Sequence, residues 1–386
     1  MANTLKFGNG EWYGKKDTIL AYNDLNSNYK PLPFNFSRDS KATVVNKDGL
    51  IEEVGSGQPR IDYKDDSEGA LLLEPSRTNF LTYSEDFSNN SYTKTNVTVT
   101  SGFLAPNGST NATKLVSSAV NGQLLFGGGS GNTNTKSVSV FAKANTSTSK
   151  FKIIEQYYSG HQTLFDLNLG VVEFNNSVGS KIEDYGNGWY KCTHIQSYTS
   201  GQTNATFAFR TNTPESLFIW GAQLEVGSYP TSYIPTSGSA VTRLVDDMPN
   251  HLNINPLNIG NSYTLFLNAD LNKVVNNKVF CEIENSASND VFSIRINNGG
   301  KVRVYNALDS AYPTSSLESN TNKWAIRIDG NSYKIFGANS SRSGTLATAR
   351  NIGEIKFYGI FADLKINNFN IYNTALSDTE CQALVN

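Results

Sequence analysis

The sequence predicts an all-β chain: two tandem antiparallel β-sandwiches after an irregular, extended N-terminal segment. Three observations carry this. Asn is very frequent, 47 of 386 residues, beside 31 Gly, 19 Tyr and 21 Phe; Asn and Gly suit turns, while aromatic and β-branched residues suit strands. Charged residues are 17%, below the usual figure of about 25%, and helix-forming runs of Ala, Leu, Glu and Lys are nearly absent. Finally, alternation with a period of two recurs along the chain, as half-buried strands require.

The elements follow in order. Residues 1–77 show little periodicity and form the extended segment, with a break near Glu74-Pro75-Ser76-Arg77. Residues 78–243 form the first sandwich, with alternating runs at 137–143 and 205–210. A second break, rich in Ser, Gly and Pro, runs from Pro235 to Pro249. Residues 244–386 form the second sandwich. Here 291–296 and 301–305 flank Asn297-Asn298-Gly299-Gly300, and 324–328 and 333–336 flank Asp329-Gly330-Asn331. Both read as hairpins, because Asn and Gly tolerate the positive φ that tight turns demand. Ser377-Asp378-Thr379-Glu380 reads as a capping box opening a short C-terminal helix that tucks Ala383, Leu384 and Val385 against a sheet.

Several classes of function are disfavoured. The net charge of −2 provides no basic excess for nucleic acid. No run approaches the roughly 18 apolar residues of a membrane span, and the first residues carry no secretory pattern. His161, His194 and His251 have no ligand spacing, and Cys192, Cys281 and Cys381 form no CxxC pair, so a zinc site is not expected. The cysteines read as small core residues. Gly127-Gly128-Gly129-Ser130-Gly131 lacks the Lys-Ser/Thr of a phosphate loop and reads as a flexible loop. His194 and Cys192 share a strand face, but no third group orients the imidazole. Glu282-Ile283-Glu284 is the one clear Glu-x-Glu pair in the last third; a glycosidase needs two carboxylates flanking the bond, but the turn-like run Asn285 to Asp290 breaks the strand before any third acid, and the pair reads as a solvated strand face. The expectation is therefore a non-enzyme.

Three blocks carry a family resemblance. Phe36-Ser37-Arg38-Asp39-Ser40, Pro59-Arg60-Ile61-Asp62-Tyr63 and Gly69-Ala70-Leu71-Leu72-Leu73-Glu74-Pro75-Ser76-Arg77-Thr78-Asn79 resemble the N-terminal segment of bacteriophage tail-fibre and head-fibre structural proteins. Tyr83-Ser84-Glu85-Asp86-Phe87, Asp184-Tyr185-Gly186-Asn187-Gly188-Trp189-Tyr190, Ile219-Trp220-Gly221-Ala222-Gln223-Leu224-Glu225 and Pro230-Thr231-Ser232-Tyr233-Ile234-Pro235-Thr236 are similar to the jelly-roll, carbohydrate-binding-like module that follows it. Trp324, the Asp329-Gly330 turn and the run Ile371 to Glu380 look like a concanavalin A-like or laminin-G-like lectin domain.

The resemblance implies a virion protein on the particle surface. Residues 1–77 would attach to other virion proteins, and the sandwiches would bind host surface glycan; a capsid or tail decoration role without sugar binding is the alternative. It also implies a homo-oligomer, with a trimer favoured, neither nucleic acid nor membrane insertion, and no cofactor. Calcium would be compatible, but the sequence has no clear ligand set for it. A sugar site needs flat rings for C–H faces and amides or carboxylates for hydroxyls. The candidate glycan-binding residues are accordingly Tyr157, Tyr158 and His161 in one loop-like cluster, and Tyr305 and Tyr312 in another. Trp189, Trp220 and Trp324 are assigned to core packing.

Overall fold

The computed structural model describes residues 4–7, 13–15, 18–23, 29–31, 36–67, 69–130, 135–156, 161–198, 204–211, 214–248, 252–253, 260–274, 278–285, 288–296, 302–306, 316–317, 322–338, 340–345, 354–357 and 362–386; in 4–31, 128–130, 204–205, 252–253, 271–317, 354–357 and 362–363 the backbone alone is described. The fold is all-β, every described strand pairing is antiparallel, and one helix, Asp378–Val385, is present among these residues. The chain divides into two compact units. The first comprises Met1–Lys41, Val54–Ser76 and Leu244–Asn386, and the second Ala42–Glu53 and Arg77–Arg243. Residues 1–77 are thus shared between the units. They are also richer in strands than their sequence suggests, because their pairing partners lie far along the chain: Ala70–Leu73 pairs with Ala362–Tyr372.

In the first unit an eight-stranded sheet runs in the order Ser340–Thr345, Ser332–Gly337, Lys323–Asp329, Ser262–Val274, Ala362–Tyr372, Ala70–Leu73, Arg60–Asp62, with Thr4–Phe7 also paired to Ala362–Tyr372. Its central strand Lys323–Asp329 buries residues on both faces, while the edge strand Ser340–Thr345 is largely exposed. One face places Leu265, Leu267, Trp324, Ile326, Ile335, Phe369 and Ile371 in the core, and the other packs Phe266, Ala325 and Phe336 against Cys381 and Val385 of the helix. Both halves of the capping box at Ser377 and Glu380 are formed. The hairpin at 324–336 turns through Gly330 and Asn331, with Gly330 at φ 57°. A second, six-stranded sheet holds the other expected hairpin, Ser288–Ile296 with Val302–Asn306.

Block-one residues close this unit through a buried ion network. Asp246 accepts from Arg38 Nη1 at 2.9 Å and from Arg60 Nη2, while Arg60 Nη1 lies 2.8 Å from Glu74 Oε2. Asp246 Oδ2 also accepts from the Glu74 backbone N–H at 2.9 Å. All four residues are buried. Two cations matched to two anions keep the guanidinium of Arg60 firmly charged despite its burial.

The second unit is a sandwich of two six-stranded sheets. The front sheet orders Thr93–Thr95, Gln123–Ser130, Asn204–Arg210, Lys150–Glu155, Gln162–Asp166 and Val171–Asn175; the back sheet orders Val97–Phe103, Ala112–Ser117, Ser216–Val226, Lys136–Ala144, Trp189–Gln196 and Gly179–Asp184. The chain repeatedly crosses between the sheets, in the jelly-roll manner. Phe126, Phe151, Phe165, Phe207 and Phe209 from the front meet Leu115, Val138, Val140, Cys192, Ile219 and Leu224 from the back. Gly127 to Ser130, expected as a flexible loop, instead ends the Gln123–Ser130 strand: the backbone pairs with Asn204–Arg210 across a register shift, which needs no side chain.

A bulge sets what the back sheet's outer face displays. Ser139 opposes Gln223, yet Phe141 opposes Trp220, so Ser216–Val226 carries one extra residue, at Gly221, whose φ is 62°. The extra residue lets Ile219 and then Ala222 and Leu224 all face the core, whereas strict alternation would turn the second pair outward. Trp220, next to core-facing Ile219, points to the opposite side, where it packs with Phe141, Trp189, Tyr233, Val45 and Ile51. The segment 231–236 lies over this layer. Thr231 donates its N–H and hydroxyl to Glu225 at 2.9 and 2.6 Å, and Asn79 Nδ2 donates to the Ile234 carbonyl at 2.9 Å.

Glu85 belongs to the same layer. It accepts from Tyr233 Oη at 2.8 Å and from Asn111 Nδ2 at 2.6 Å, and Asn111 in turn accepts from Trp220 Nε1 at 3.0 Å. Burial raises the carboxyl's pKa above its ordinary value, outweighing the Tyr233 hydrogen bond. A raised folded pKa means that the folded state holds the proton more tightly than the unfolded one. This stabilisation is complete below the unfolded pKa and is lost as pH rises through the folded pKa. Replacing Glu85 with Gln keeps the shape and removes the titration. Urea midpoints measured across the acidic range are therefore expected to fall with rising pH more steeply in the wild type than in Glu85→Gln.

Candidate functional site

The outer face of the front sheet carries the candidate site. Alternation decides which side chains reach it: Phe151 and Ile153, Thr163 and Phe165, and Phe207 and Phe209 point into the core, so Lys152, Leu164 and Arg210 point out. Register then lines these up. Gln123 opposes Arg210, Arg210 opposes Lys152, Lys152 opposes Leu164 and Leu164 opposes Phe174. Gln123, Lys152, Leu164 and Arg210 are half-buried, and Phe174 is 47% exposed.

Gln123 is fixed by its neighbours. Its Oε1 accepts from Gln156 Nε2 at 2.7 Å and from Arg210 Nε and Nη2 at 2.9 and 2.6 Å. Three donors on one amide oxygen dictate the amide's orientation and turn its NH2 away from the guanidinium. The row thus joins a preorganised amide, a guanidinium and an ammonium to an apolar strip ending in an exposed ring. Amide and cation donors suit sugar oxygens, and Leu164 and Phe174 suit a sugar's C–H face.

The sequence-derived candidates fall around this face unevenly. Tyr157, Tyr158 and Tyr312 lie outside the described residues. Tyr305 sits in Val302–Asn306 opposite Ser293, in the first unit, with only its backbone described. His161 lies between the front-sheet strands Lys150–Glu155 and Gln162–Asp166 in sequence and is half-buried. Its Nδ1 lies 2.9 Å from Gln196 Oε1 of the back sheet, so the ring is tied between the sheets. His194 is buried, with Nδ1 2.9 Å from Thr163 Oγ1; burial, with a smaller contribution from His161, pushes its pKa down to about 3 and keeps it neutral. The pairing of His194 with Cys192 is a packing arrangement: Cys192 is buried in the core, and its thiol pKa is raised well above the ordinary value.

Gln123, Lys152, Arg210 and Phe174 were not recognised from sequence. Their alternation is visible there, but the register bringing five separate strands into one row is not. Trp189, Trp220 and Trp324 are core residues, at 2%, 1% and 4% exposure. Glu282 and Glu284 stand on an interior strand, Glu282 opposite Ser293 and Lys356 and Glu284 opposite Val291 and Glu354. Among the described residues, no group of three or more His, Cys, Asp or Glu converges as a metal site, and no helix is long and apolar enough to cross a membrane.

No protein-family model matches the chain, and no curated protein does. Solved structures of Trypanosoma rangeli sialidase are similar at a low level. The complex with the inhibitor DANA has a TM-score of 0.29 and 11% identity, covering 100% of this chain and 99% of that one. The complex with sialic acid has a TM-score of 0.26 and 11% identity, covering 99% and 98%. A likeness this weak carries nothing about activity.

Proposed function

We propose that the protein is a bacteriophage virion structural protein of the tail-fibre or head-fibre type, which attaches to glycan on the host surface through its β-sandwiches. The observation that carries the sugar-binding part is the front-sheet row, in which a fixed Gln123 amide, Arg210 and Lys152 adjoin Leu164 and an exposed Phe174. The virion part rests on the three-block resemblance. Its motif residues are structural: Arg38, Arg60 and Glu74 close one unit, and Glu85, Trp220 and Glu225 hold the other. On this reading recognition lies on sheet faces outside the motifs, where sequence is free to vary with the host.

Attachment to the particle is assigned to residues 1–77, as the resemblance implies, although Thr4–Phe7, Arg60–Asp62 and Ala70–Leu73 of this segment also pair within the eight-stranded sheet. Presentation in a homo-oligomer, a trimer by resemblance, would make weak single sites effective, since later contacts become intramolecular. The second reading, a decoration protein serving assembly alone, is favoured by a different feature. Val171–Asn175 is a front-sheet edge, and around it Leu169, Val171 and Val178 are 73%, 44% and 60% exposed.

Incubating the full chain with host cells separates the two. Attachment predicts cell binding and competition with phage adsorption, and assembly predicts binding to particles lacking the protein, with none to cells.

A further inference from the structure

We propose that the front-sheet face recognises an anionic glycan, with Lys152 and Arg210 gripping the acidic substituent of the sugar and Gln123 donating beside them. This rests on the glycan-attachment reading and adds the chemical class of the ligand.

The first argument is charge. Lys152 and Arg210 are directly opposite in register, where Cβ atoms are about 4.5–5.5 Å apart and like charges destabilise the pair. Two other lysines show the contrast: Lys150, on the same face, lies 3.1 Å from Asp166 and 2.9 Å from Glu173. Lys365 has Asp62 and Asp65, each at 2.6 Å. Lys152 and Arg210 have no carboxylate partner among the described residues. Burial holds both below their usual pKa, and for Lys152 the Arg210 charge adds to it, so the charged pair is present at a cost that an incoming anion would relieve.

The second argument is the inventory of hydrogen bonds. Gln123 Oε1, the acceptor at the centre of the row, already receives three bonds. What remains beside it is donors: Gln123 Nε2, Arg210 Nη1 and Lys152 Nζ, none with a partner among the described residues. A ligand rich in acceptors completes this set, and a carboxylate or sulfate offers two or three oxygens that a guanidinium and an ammonium can share. A neutral sugar hydroxyl brings one oxygen and leaves the like charges unmatched. Leu164 and Phe174 then cover the ring that bears the anion.

The test is affinity electrophoresis of the full chain in gels containing polygalacturonate, dextran sulfate, neutral dextran or single-stranded polythymidylate. Retardation by one or both acidic polysaccharides and not by neutral dextran is expected; the two gels tell carboxylate from sulfate. Lys152→Met and Arg210→Met should each weaken that binding about tenfold or more, while Lys152→Arg retains it. Lys152→Met should melt no lower than the wild type, because it removes a repulsion, so its loss of binding cannot be unfolding. Unchanged binding in both Met variants, or equal retardation by polythymidylate, overturns the inference. If the variants also bind host cells normally, the attachment reading survives alone; if the wild type binds neither cells nor any glycan, that reading falls too.

Discussion

Asp246→Asn is expected to destabilise the protein by about 3–5 kcal/mol, the usual cost of removing one partner from a buried ion network. The substitution barely changes volume, so the effect is electrostatic. Asp246 accepts from Arg38, Arg60 and the Glu74 backbone, and Asn can satisfy only part of that set while leaving two guanidiniums facing one carboxylate. Against a typical total of about 5–15 kcal/mol, this is a large fraction. Trp324 lies in the same unit and is buried, so fluorescence during urea unfolding reports on it. A variant that unfolds within about 0.5 kcal/mol of the wild type, the range of ordinary surface substitutions, would show that the network is dispensable. The result also bears on truncation. Removing residues 1–77 would take away Arg38, Arg60 and Glu74 together, leaving Asp246 buried without them, and would strip Thr4–Phe7 from the sheet, so attachment is better mapped by point substitutions than by deletion.

Trp220→Ala is expected to cost about 3–5 kcal/mol, in the range for deleting a buried large aromatic side chain. Trp220 is 1% exposed, its ring centroid is 4.5 Å from that of Tyr233 and 5.4 Å from that of Phe141, and its Nε1 holds Asn111. The loss therefore spreads through Asn111 to Glu85 and through Tyr233 to the 231–236 segment. Trp220→Phe keeps most of the apolar contact and gives up the hydrogen bond, which is worth about 0.5–1.5 kcal/mol, so it should lie well between wild type and Ala. Equal losses for Phe and Ala would place the energy in the hydrogen bond instead of the packing.

Local chemistry was the legible part of this chain. The Asp329-Gly330 turn and the Ser377-Glu380 box are governed by residues two or three apart, and both formed where the sequence put them. The alternating runs at 137–143 and 205–210 became strands for the same reason. What sequence could not display was long-range pairing. Nothing near Ala70–Leu73 announces Leu364–Ile366 as its partner, and nothing near Arg38 announces Asp246, 208 residues away. The candidate site suffered likewise. Aromatic clusters are the local signal for a sugar site, but the front-sheet row depends on register across five strands and on one bulge between Leu164 and Phe165 that sets Phe174 beside Leu164. His161, the one candidate whose side chain is described, is drawn to Gln196 by a hydrogen bond between sheets that no local pattern encodes.

Cell binding by the full chain with the front-sheet row dismantled decides whether that row binds the host surface. Phe174→Ser combined with Lys152→Met removes the exposed ring and one of the two facing cations while leaving the buried core and the Gln123 hydrogen bonds intact. This variant is expected to keep the wild-type melting transition and to lose at least tenfold in cell binding, equivalent to about 1.4 kcal/mol. Full cell binding by a folded variant would contradict it and move recognition to another surface.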